Sequence, residues 1–72
     1  MLHMTVIHDK LDAKTWINPA AVSMWRAHWT GPDTEDDDTR TDVFFVGEDD
    51  AFVVRMPPAK FAAAWRAAMN PV

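Results

Sequence analysis

Cysteine is absent from the 72 residues, which excludes disulfides, thiol catalysis and cysteine-ligated zinc. Glycine occurs only at Gly31 and Gly47, so no glycine-rich phosphate loop can form. Ser23 is the only serine, and no Gly-x-Ser-x-Gly elbow surrounds it. The longest apolar runs, such as residues 61–65, fall far short of the ~20 residues of a membrane span. No basic and apolar signal segment opens the chain, and the expectation is a cytoplasmic protein. Basic residues form no stripe, which disfavours general binding to nucleic acid.

Large apolar side chains are abundant. Hydrophobic residues make up 49%, with four Trp and four Phe, so the chain can offset the entropy of ordering. At this length it reads as one domain over residues 1–72. A chain so short buries only roughly 60% of its unfolded surface, which leaves a monomer with thin stability. The net charge of -4 is concentrated. Asp33, Glu35, Asp36, Asp37, Asp38 and Asp42 crowd one stretch, opposed there only by Arg40. The expectation is an acidic, solvated loop at residues 31–40 on a nearly neutral body.

Residues 2–8 alternate and carry Thr, Val and Ile, which predicts a first strand. Residues 9–13 read as a polar turn and residues 14–17 as a short second strand, ended by Asn18-Pro19. Residues 20–30 carry two patterns. Asn18 as N-cap, Pro19 at the first helical position and Gly31-Pro32 as a stop argue for a helix, with Val22, Trp25 and Trp29 on one face. Two-residue alternation argues for a strand. Residues 41–46 form the plainest strand, residues 47–50 a tight turn, and residues 51–56 its hairpin partner. Pro57-Pro58 opens a C-terminal helix over residues 59–69, with Phe61, Trp65, Ala68 and Met69 as its buried stripe and Asn70-Pro71 as its end.

This order of elements resembles the small bacterial proteins of the flagellar-regulator FlbD type. Ile17-Asn18, Gly47, Val53-Val54 and the helix carrying Phe61 hold the resemblance, which covers nearly the whole chain. It implies that residues 21–30 form a strand, and it brings no catalytic residue. The fold class expected is α+β, a small antiparallel, twisted sheet of four to five strands with a C-terminal helix packed on one face.

Catalytic and metal-binding chemistry find little support. His3 and His8 have opposite parity on a strand and cannot share a metal without a bulge or a second chain. Asp33, Glu35 and Asp37 alternate as in a calcium loop, but Asp38 replaces the turn glycine and Phe44 the final bidentate acid. Glu48, Asp49 and Asp50 read as turn residues rather than an acid–base pair. The expectation is a protein without catalytic residues, cofactor or metal.

The aromatic residues carry more information. Val43 and Phe45 point to one face of their strand, Phe44 and Val46 to the other, and one helix covers one face only. The reading is a protein–protein interaction protein, a homodimer with Trp25, Trp29, Phe44 and Phe45 as candidate interface residues. Residue usage rich in Ala, Asp, Trp and Arg and poor in Lys fits a GC-rich genome and a bacterial or phage-encoded accessory role. A first alternative makes Asp33, Glu35, Asp36, Asp37 and Asp38 a decoy for a basic, nucleic-acid-binding surface. A second is a DNA-binding regulator, which the charge balance disfavours.

Overall fold

The computed structural model describes residues 1–8 and 10–70. Five strands form one antiparallel sheet, and a single helix packs on one of its faces. The strands are β1 (Leu2–His8), β2 (Leu11–Ile17), β3 (Val22–His28), β4 (Asp37–Phe45) and β5 (Phe52–Val54). The helix α1 spans Pro58–Met69. Across the sheet the order is β2-β1-β5-β4-β3. β1–β2 is a local hairpin and β3–β4–β5 a meander. The seam between them is the short pairing of Val6 with Val54 and Ile7 with Val53.

β1 occupies the residues that its alternation predicts. β2 begins at Leu11, three residues before the expected start, because the reversal is tighter than a five-residue turn. His8 already faces Leu11, and Lys10 takes a left-handed φ of 66°. Asp9, expected in the turn, and Pro71, expected at the helix stop, lie outside the described residues.

Residues 20–30 resolve in favour of the strand. The capping signals are real, but they act on one turn of 3-10 helix at Pro19–Ala21. The Asn18 side chain accepts from the Ala20 N–H there, and Pro19 takes the first helical position. β3 then starts at Val22. Its register with β4 slips by one residue between Val22 and Met24, leaving Ser23 as a bulge whose Oγ donates to the Phe44 carbonyl. The bulge brings Val22 and Trp25 onto the same face, which is why their spacing of three imitated a helix.

β4 also differs from expectation. It starts at Asp37, so Asp37 and Asp38 belong to a strand, and the connection after β3 is residues 29–36. Asp33, Glu35 and Asp36 remain in that loop, exposed. Gly47 closes the next turn at φ 82°, a conformation that side chains with a Cβ disfavour.

Met4, Val6, Ile17, Val43, Val54 and Phe61 form the buried core between sheet and helix. Phe61 meets Trp25 edge-on at 5.3 Å between ring centroids, and Trp65 tilts against the same Trp25 at 5.3 Å. The Trp65 indole N–H donates to the Pro19 carbonyl at 2.9 Å, so the helix is tied to the turn before β3. Ala64 completes the inner face, whereas Met69, expected in the stripe, is exposed at the end of the helix.

Two substitutions on one helix test this packing. Trp65→Ala removes the ring against Trp25 and one of the two donors to the Pro19 carbonyl, the Val22 N–H remaining, and should cost roughly 3 kcal/mol. Arg66→Ala, on the exposed side, should stay within about 0.5 kcal/mol of the parent. Urea unfolding followed by circular dichroism reads both, and equal losses would refute the assigned face.

Candidate functional site

The helix leaves the opposite face of the sheet uncovered. Alternation from the buried Met4, Val6, Val43 and Val54 places the other parity there. Those residues are His3, Thr5 and Ile7 of β1 and Asp12, Lys14 and Trp16 of β2. They continue as Val53 of β5, Asp42 and Phe44 of β4, and Met24 and Arg26 of β3. Trp16 is 63% exposed, Trp29 52% and Met24 51%.

One end of this face is built around a buried acid. Asp42 is only 4% exposed although it faces away from the helix. Three donors from the end of β3 enclose it. The His28 Nδ1–H reaches Oδ1 at 2.7 Å, the Arg26 Nε–H reaches Oδ2 at 3.3 Å, and the Trp29 backbone N–H reaches Oδ2 at 3.1 Å. A carboxylate only accepts, so Nδ1 of His28 carries a proton, and in the neutral ring Nε2 is the nitrogen left for chemistry. Arg26 also spans two aromatic rings, 5.3 Å from the Phe44 centroid and 6.0 Å from that of Trp29. A second register shift follows there: Ala27 pairs with Thr41 but His28 with Asp37, so residues 38–40 of β4 have no partner in β3.

A histidine oriented by a carboxylate is part of a nucleophile-activating triad. The rest is missing: among the described residues no hydroxyl hydrogen-bonds to His28. Ser23 donates to Phe44 O, Thr30 to Glu35 O and Thr41 to Met56 O. Nor does any group of three His, Cys, Asp or Glu among the described residues stand close enough to hold a metal ion. The cluster organises a surface: it fixes Arg26, Trp29 and Phe44 in one place at the margin of the sheet.

The sequence-predicted residues do not converge on one patch. Trp29 and Phe44 share the open face with Arg26 between them. Trp25 lies on the other face, under the helix, and Phe45 lies there too, edge-on to Phe52 at 5.0 Å. A docking surface centred on Trp25 is therefore not available. Of the acids, Asp37 is engaged in its own strand, accepting from the backbone and hydroxyl of Thr39 and pairing with Arg40 at 3.6 Å. Asp33, Glu35 and Asp36 are brought to no common point by any hydrogen bond of their side chains among the described residues. His3 stacks on Trp16 at 4.3 Å, and that pair extends the aromatic surface to the far side of the sheet. The Asp42 cluster went unread in the sequence. Its signal was an acid directly before the apolar run Val43-Phe44-Phe45, which the structure sets beside Arg26 and His28 of β3.

A cavity of about 500 Å³ opens at the end of the sheet, on the helix side but beyond the helix. Val6, Ala13, Thr15 and Phe52 line it, and Glu48 and Asp50 stand on its rim. Comparison with protein-family models, curated proteins and solved structures returns no match.

Removing the Asp42 carboxylate strands three donors. Asp42→Ala should cost about 2–3 kcal/mol, the partial exposure of Arg26 and His28 moderating the loss, whereas Asp36→Asn should be near neutral. Chemical denaturation of the two variants at neutral pH checks this.

Asp37 provides a pH test. The Thr39 hydroxyl and backbone N–H, and then Arg40 and His28, hold its carboxyl below the ordinary 3.8. A folded value below the unfolded one stabilises the protein fully above 3.8 and loses that contribution as pH falls through the folded value. The stability gap between wild type and Asp37→Asn should thus be present at neutral pH and close in stronger acid. A gap that persists unchanged below that range would show that Asp37 acts through something other than its charge.

Proposed function

We propose that this chain is a non-enzymatic interaction protein in an accessory or regulatory role, acting as a homodimer and docking a second protein on the open face of its sheet. The observation that carries this reading is the uncovered face itself, with Trp16, Met24 and Trp29 exposed to solvent and Phe44 half-buried among them. Small folded chains rarely leave such a surface without use, and Trp and Arg are the residues that anchor interfaces. Arg26, clamped by Asp42 and flanked by two rings, is a pre-ordered anchor of that kind, because little of its side-chain entropy remains to be lost.

Charge supports the same surface. Lys14, Arg26 and Arg55 on this face are offset by Asp12 and Asp42, so it is close to neutral. The excess acid lies elsewhere, in residues 29–36 and in the turn at Glu48, Asp49 and Asp50. A neighbouring protein therefore meets the least repulsion at the open face. The accessory or regulatory role and a cytoplasmic setting belong to the same proposal; no helix among the described residues is long and apolar enough to cross a membrane.

Site-specific photocrosslinking tests the docking surface. A photoreactive residue at Met24 or Trp29 should capture a protein partner that the same residue at Lys60, on the outer side of the helix, does not. Arg26→Glu should abolish the capture, and the yield should change little between low and moderate salt. Capture from Lys60 alone would overturn the open-face assignment. A steep loss with salt would instead support the acidic loop as the contact.

A further inference from the structure

The two edges of the sheet are unlike. β3 carries a bulge at Ser23, its end lies over Asp42, and beyond Ala27 its neighbour β4 leaves residues 38–40 without a partner in it. Such irregularities keep an edge from accepting another strand. β2 has none of them. Its seven residues pair with β1 in unbroken register, and none is proline. Leu11, 72% exposed, stands on one face and Trp16 on the other, and Asp12, Ala13 and Lys14 between them are exposed as well. A straight edge of this length with apolar side chains on both faces is a template for strand addition.

We propose that a second copy of this chain pairs with β2, antiparallel about a twofold axis at Ala13, joining two five-stranded sheets into one of ten. The inference rests on the homodimer reading and specifies where the copies meet.

Charge selects the register. Paired residues must share a face, so alternative registers move in steps that shift the axis by one residue. An axis at Lys14 sets Lys14 against Lys14 of the second copy, a repulsive pair. An axis at Thr15 brings neither charge to its opposite. An axis at Ala13 sets Asp12 against Lys14 twice, once on each side of the symmetry axis.

Both partners are ready for it. The Nε and Nη2 groups of Arg55 both donate to Oδ1 of Asp12, at 3.2 and 3.0 Å, which leaves Oδ2 for a lysine. Lys14 has no carboxylate partner among the described residues. The same register sets small Ala13 against Ala13 and places Leu11 against Thr15 of the second copy. Ala13 and Thr15 line the cavity described above, so the exposed Leu11 of each copy arrives at an apolar lining in the other.

Charge exchange tests the register. Sedimentation equilibrium up to about 100 µM should show wild-type dimers, with Lys14→Asp and Asp12→Lys each weakening association roughly tenfold or more. Mixing the two variants matches every pair again and should restore the wild-type constant to within about threefold. Circular dichroism establishes that each variant is folded. Should either fail to fold, amide exchange in the unmodified protein decides. Pairing slows alternate amides of β2 as concentration rises, and a dimer that leaves β2 exchange unchanged overturns the proposal. Dimers indifferent to the charge exchange overturn the β2 site but leave the homodimer standing. Monomers at every concentration overturn both.

Discussion

One cluster of three rings governs this structure: Phe61 and Trp65 of the helix closing on Trp25 of the sheet. Among the described residues a single α-helix buries apolar surface of the sheet, and these contacts decide where it lies. The hydrogen bond from Trp65 to Pro19 fixes the helix to the entrance of β3, so its axis cannot drift along the sheet. Everything left uncovered follows from that placement. The far face becomes open surface, and the end beyond the helix becomes the cavity beside β2.

The open face is ordered by a second, polar constraint. A carboxylate buried in a small sheet is costly unless fully bonded. Asp42 meets that condition by drawing in Arg26, His28 and the Trp29 N–H. All three donors come from the end of β3, where the register with β4 jumps from Thr41 to Asp37. A polar network of this kind gives a small protein a defined surface as well as a defined core, and the ring of Phe44 beneath Arg26 joins the two.

Much of the fold was legible because its strongest local patterns agree with the tertiary outcome. β1 follows its own alternation, and the helix follows its alanines and its Phe61–Trp65 spacing. Residues 20–30 were ambiguous for a physical reason: Asn18 and Pro19 do cap helical turns, but only one turn follows, and the Ser23 bulge shifts the alternation of the strand behind it. The start of β4 was hidden because aspartates disfavour strands, and Asp37 is held there by its pairing with His28 across the sheet. Sequence reasoning placed Trp29 and Phe44 on a surface and grouped Trp25 and Phe45 with them. Parity along each strand separates those pairs, but parity counts only once the bulge is known.

The strand order has a bearing on how the molecule comes into being. β1, made early, lies beside β5, made late, and the seam between them is only two residue pairs long. During synthesis the β1–β2 hairpin must wait, its inner edge unsatisfied, until the meander is completed at Val54. Closure of that seam brings Met4 and Val6 against Val54 and completes the core. The same short ladder, two residue pairs against seven between β1 and β2, is the line along which the finished sheet would part first under tension, the hairpin on one side and the meander on the other.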